Sequence, residues 1–228
     1  MANKLEYRIQ LKDAVLGTSI IAAGGKCHVA TAGSPDKATL YDKDGAALAN
    51  PITPTRGFLN FFVDDTVASV DLYVMAPGGQ FVVQAGVVAS GPNEILVDTA
   101  NKRQLMKIPF SYVDDAGDAT ETDTGFDVPN PAQVLDRLHG AGLYVTAIDA
   151  TETIDVGILS TESGGDANGL LAADSVGTLG VRIGTNGALY SSNAPHASDA
   201  VTGKSISYTL TAGSDTAKGF ILLPYNLV

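Results

Sequence analysis

The chain predicts an all-β protein: two β-sandwich or jelly-roll-like modules carrying one short helix. Three observations lead there. The opening segment alternates, with Leu5, Tyr7, Ile9 and Leu11 on one side and Lys4, Glu6, Arg8, Gln10 and Lys12 on the other. Period-two alternation of this kind marks a strand with one buried face. Behind it come short apolar runs parted by Gly24-Gly25, Gly33-Ser34-Pro35, Asp44-Gly45 and Asn50-Pro51, the punctuation expected of a sandwich or barrel. Finally, 25 of the 228 residues are glycine. That share exceeds the usual ~7%, as a turn-rich fold requires.

Taken in order, further strands are expected over residues 15–22, 27–31, 38–41, 58–63, 67–75 and 80–88, each an apolar run between turn residues. The segment Ser90-Gly91-Pro92-Asn93 reads as a linker, which sets the modules at residues 1–92 and 93–228. Charge divides the chain at nearly the same place. Residues 1–95 carry 7 basic and 9 acidic side chains, whereas 96–228 carry 7 and 16. The second module reads as strands at 104–113, 142–148, 153–160, 177–183, 188–190, 205–211 and 219–223. One helix is expected over 130–140, with Asn130 as cap, Pro131 in the first turn and Gly140 at the exit. Val134, Leu135 and Leu138 share its apolar face, so it is expected to plug an open end of the second sandwich.

Composition excludes several classes. A net charge of −11 argues against nonspecific nucleic-acid binding, which needs a basic footprint. The longest uncharged stretch, 72–93, is broken by Pro77-Gly78-Gly79 and Gly86 and is not a membrane span. Charges at Lys4, Glu6 and Arg8 occupy the place where a signal peptide needs its apolar run, so a soluble chain made in the cytoplasm is expected. One cysteine and three scattered histidines build neither an intrachain disulfide nor a zinc site, and no cofactor is expected.

Motifs with chemical meaning resolve into turns and strands. Gly203-Lys204-Ser205 resembles the end of a phosphate-binding loop, but Ser198 stands where its first glycine belongs and a strand follows instead of a helix. Asp42-Lys43-Asp44-Gly45 lacks the Glu that a calcium loop needs, since Thr53 occupies that position, and it reads as a hairpin turn. Between 114 and 127 lie Asp114, Asp115, Asp118, Glu121, Asp123 and Asp127 without a basic residue. Such a loop either gathers Ca²⁺ or stays solvated and extended by self-repulsion. Loop 163–169 poses the same question with fewer ligands. Cys27 and His28 are adjacent on a strand and point to opposite faces, so they form no catalytic pair. His139 suits a helix C-terminus, and His196 lies in a loop without a nucleophile motif. No catalytic residue is assigned, and an enzyme is not expected.

Two stretches carry a resemblance. Leu40-Tyr41-Asp42-Lys43-Asp44-Gly45, then Asn50-Pro51, Gly57-Phe58, Phe61-Phe62-Val63 and Val70-Asp71-Leu72-Tyr73-Val74, resemble small β-sandwich modules of tailed-bacteriophage virion proteins. Residues 153–159, 164–169 and 208–221 are similar to segments of phage capsid-associated structural proteins. The resemblance implies a head decoration (cement) protein on the capsid exterior, a homotrimer whose partner is the major capsid protein. The alternative it implies is a tail or fibre component that binds host carbohydrate. In either case the strand from Lys4 to Lys12 has two readings. It is an anchor whose basic face, Lys4, Arg8 and Lys12, meets an acidic neighbour, or an ordinary edge strand that its lysines protect from aggregation.

Overall fold

The computed structural model describes residues 4–20, 24–89, 93–114, 119–129, 133–135, 141–184, 203–211 and 216–227. The chain divides into two compact units, Met1–Lys102 and Arg103–Val228. Among the described residues every regular element is a strand, and the all-β sandwich expectation holds.

The first unit holds β1 (Lys4–Asp13), β2 (Lys26–Thr31), β3 (Leu40–Tyr41), β4 (Ala47–Leu48), β5 (Phe58–Asp64), β6 (Val70–Met75), β7 (Phe81–Val87) and β8 (Asn93–Val97). They form a five-stranded sheet ordered β4-β3-β5-β1-β8 and a three-stranded sheet ordered β2-β6-β7. The inward faces meet in one core. Tyr7, Ile9 and Leu11 of β1 and Leu59, Phe61 and Val63 of β5 pack against Cys27 and Val29 of β2 and Leu72 and Val74 of β6. The Tyr7 and Phe61 rings stack at 5.1 Å, as their direct cross-strand pairing allows. Each such fully buried apolar side chain contributes about 1.5–3 kcal/mol.

The second unit holds β9 (Arg103–Ser111), β10 (Thr122–Asp127), β11 (Gln133–Leu135), β12 (Ala141–Ala147), β13 (Thr153–Ile158), β14 (Asp166–Ser175), β15 (Gly180–Gly184), β16 (Ser205–Leu210) and β17 (Lys218–Leu227). One sheet is ordered β10-β16-β13-β14, the other β11-β17-β12-β15 with β9 on the remaining edge of β17. The ten-residue β17 is long enough to pair β12 along its first half and β11 along its last residues.

Four expectations need correction. Residues 133–135 pair with Tyr225–Leu227 as a strand, not a helix, and no helix occurs among the described residues; the remainder of 130–140 lies outside them. The capping signals are local, whereas β17 extends past the end of β12 and leaves ladder groups that 133–135 satisfies. Second, the module boundary expected at 92/93 falls later, because β8 hydrogen-bonds in parallel along β1 and belongs to the first unit. Third, β1 is an edge strand over its first half only. It pairs with β5 along Lys4–Gln10 but with β8 only from Ile9 to Asp13. Addition of a neighbour's strand is therefore closed along the second half, and β8 leaves the edge beside Lys4–Arg8 uncovered.

The fourth concerns residues 15–22, which do not begin as a strand. The Asp13 carboxylate accepts the N–H groups of Val15 and Leu16, and Gly17 donates to the Asp13 carbonyl, which closes a turn. Val15 and Leu16 are left exposed at its tip. Residues 188–190 lie outside the described residues.

Candidate functional site

The side chains expected to bind a partner lie together on the outer face of the first unit's larger sheet. Alternation sends Tyr7, Ile9 and Leu11 inward, so Lys4, Glu6, Arg8 and Lys12 face outward by necessity. Pairing with β5 sets Glu6 opposite Phe62 and Arg8 opposite Asn60. Lys4 Nζ stands 3.1 Å from the centre of the Tyr41 ring, and the Arg8 guanidinium lies 5.1 Å from that of Phe58. Both contacts are cation–π interactions. Lys12 diverges from this group and pairs with Glu94 on β8 at 2.6 Å.

Around Arg8 the sheet forms a concavity of about 740 Å³. Its floor is apolar, made by Phe58 and Phe62 with Leu48 and Ile52, all partly exposed. Its rim carries the exposed side chains of Glu6, Arg8, Arg56 and Asn60. Lys4 and Lys12 do not line it.

Local turns hold the rim. Asp42 accepts the N–H groups of Asp44 and Ala46, and Gly45 sits at φ 86°, a conformation that costs glycine nothing. This is the hairpin turn expected there. Thr55 and Phe58 exchange backbone hydrogen bonds in both directions around Arg56-Gly57. Both central residues have positive φ, 52° at Arg56 and 79° at Gly57, as the twist of a two-residue hairpin demands. Arginine therefore occupies a left-handed position that favours Asn or Gly, and the turn aims it at the rim. Asn50 clamps the segment between β4 and the hairpin by donating to the carbonyls of Val29 and Ala38 and accepting from Val29 N–H.

The remaining candidates are structural. Cys27 is fully buried, and burial pushes its thiol pKa far up, so it stays protonated. His28 lies on the opposite face, as adjacency on a strand requires, and it too is buried, edge-on to Tyr73 at 5.9 Å. Burial, and then the charge of Lys37, push its pKa down to about 3, which keeps the ring neutral. His139 and His196 lie outside the described residues.

In the acidic stretch, Glu121 accepts from the Ser160 amide and hydroxyl and from the Ser207 hydroxyl, while Asp123 accepts from the Ser205 hydroxyl. Burial opposes ionisation of Glu121, yet these donors outweigh it and hold the carboxyl below its ordinary pKa. Among the described residues no three His, Cys, Asp or Glu side chains gather as a metal site, and residues 115–118 lie outside them. Lys204 donates to the Ser163 carbonyl and ties the turn before β14 to the start of β16; residues 166–169 of the expected loop belong to β14.

Arg56, Phe58 and Phe62 were not legible as site residues from the alternation of β1. The available signal was Arg56-Gly57 between two extended segments, a turn position that arginine fills at a conformational cost. No family model matches the chain, and neither a curated protein nor a solved structure matches it.

Proposed function

We propose that this chain is a non-enzymatic structural component of a tailed-phage virion, a decoration protein that binds the capsid exterior as a homotrimer and stabilises the shell. One observation carries the reading. The segment that resembles phage modules, 40–63, folds into β3, β4 and β5 and joins β1 in a single sheet. The resemblance and the outward basic face thus coincide in one surface. Cement proteins stabilise by mass action, because each contact made only in the assembled shell favours that state. Lys4 and Arg8 are the proposed contacts to the major capsid protein. They act as side chains on a sheet face, since strand alternation turns both outward beside β5. Lys12, already paired with Glu94, has the weaker claim.

Quantitative mass spectrometry of purified particles tests the reading. A ratio to the major capsid protein of about one, as symmetric decoration requires, supports it. A few per cent shifts the assignment to tail or fibre, and absence from the particle overturns it.

A further inference from the structure

We infer that the concavity around Arg8 is a binding site for an acidic oligosaccharide, a sugar chain bearing carboxylates. This goes beyond the decoration reading and does not depend on where in a particle the chain sits.

The floor supplies the first argument. Phe58 and Phe62 share one face of β5, about 13 Å apart with Asn60 between them, and their rings are partly open at the bottom of a depression of about 740 Å³. Ligand sites fall in this size range and combine an apolar lining with a few placed polar groups. Flat aromatic faces suit the C–H faces of pyranose rings, which are apolar above and below a belt of hydroxyls. The rings occupy a sheet face, not an edge. An extended peptide would instead take its affinity from main-chain pairing along an open strand.

The rim decides the charge. Lys43 pairs with Asp44 at 2.6 Å, and Asp42, which accepts two backbone N–H groups, keeps its charge. Arg8 and Arg56 therefore share the lining with Glu6 and Asp42, and it is the two guanidinium forks, not an excess of positive charge, that favour a carboxylate. A guanidinium offers a planar fork that meets a carboxylate in two parallel hydrogen bonds, and its flat face also stacks on rings. Arg8 is already laid over Phe58 at 5.1 Å, which orients the fork. Arg56 is held at φ 52°, where Asn or Gly is the ordinary occupant. Asn60, exposed between them, offers both a donor and an acceptor for a sugar hydroxyl. Charges elsewhere on this acidic chain do not prevent anion binding, since screening confines their effect to about 8 Å at physiological salt.

The test is a calorimetric and NMR titration of the full chain with tetragalacturonic acid and 3′-sialyllactose. Maltotetraose serves as the neutral probe and poly-glutamate as a probe of charge alone. At least one acidic sugar is expected to bind with a Kd of about a millimolar or tighter and to shift the backbone amides of β1 and β5. Arg8→Ala and Arg56→Ala are each expected to weaken it about tenfold, and Phe62→Leu similarly. Arg8→Lys separates fork from charge and is expected to recover only part of the loss. Arg56→Gly is expected to lose binding while raising Tm, so its failure to bind cannot be ascribed to unfolding.

Failure of both acidic sugars to bind overturns the proposal, as does binding that survives Arg8→Ala with Arg56→Ala. Equal affinity for maltotetraose overturns the acidic class. Binding of poly-glutamate that is as tight, and indifferent to Phe62→Leu, reduces the site to a basic patch. None of these results bears on particle copy number, so the two proposals fail separately.

Discussion

In both units carboxylates accept N–H groups and hydroxyls, but they hold different things. In the first unit they mainly fix the main chain: Asp13 caps a turn, Asp42 shapes the hairpin, and Asp71 ties the loop at Gly33 to the irregularity at Gly86 in β7 by accepting both N–H groups. In the second they receive hydroxyls on and beside β16: Glu121 from Ser207, Asp123 from Ser205, and Glu152 from Thr211. The first pattern frees a sheet face, because turns fixed from within let Arg8, Arg56 and the phenylalanines stay open to solvent. The second binds one strand into its sheet with side chains as well as backbone. The excess acid of the second half, therefore, is not simply a solvated surface. Much of it is hydrogen-bonded structure.

Substitutions can break or sharpen this contrast. The largest effect is expected from Asp71→Ala, which removes one buried acceptor serving the Gly33 loop and Gly86 of β7 and should cost about 3 kcal/mol in urea unfolding. A loss under about 1 kcal/mol would show that these segments hold without it.

Glu121→Gln should cost about 1.5 kcal/mol at neutral pH and flatten the acid limb of stability. The sign follows from its depressed pKa: the stabilisation is present above the ordinary carboxylate value and is lost as pH falls through the folded one. Asp13 behaves alike, its carboxyl held low first by the Thr99 hydroxyl and then by the Leu16 amide. Both wild-type units should accordingly weaken below pH ~4, and Glu121→Gln should remove only the second unit's share.

Arg56→Asn is expected to stabilise by about 1 kcal/mol, since asparagine tolerates the left-handed turn. An unchanged midpoint would mean the turn stores no strain. Tyr7→Phe should be neutral or stabilising by about 0.5 kcal/mol, because the hydroxyl is buried without a hydrogen-bond partner among the described residues. Lys12→Ala, at an exposed pair with Glu94, should change stability by less than about 0.5 kcal/mol.

Particular segments show how far the sequence reaches. The β1 alternation named its inward residues correctly, since a strand's faces follow from a period of two and burial needs only apolar residues at that spacing. Asp44-Gly45 announced its turn because positive φ is a local demand. Val15 and Leu16 misled, for an apolar run looks like a strand until the carboxylate of Asp13, two residues before Val15, captures its amides. Thr122–Asp127 and Asp166–Ser175 escaped notice, because neither has an apolar period of two; the first is held by β16, far along the chain, and the second by its hairpin neighbour β13.

By itself, then, the sequence determined the all-β class, the faces of its clearest strands and the hairpin turns. All of these rest on interactions within a few residues. Only the tertiary structure decided that β1 lies inside its sheet, that 133–135 is a strand, and that Arg8, Arg56, Phe58 and Phe62 line one concavity. Those outcomes depend on which distant backbone groups pair. Pairing between strands separated by tens of residues leaves no periodic trace in either strand alone.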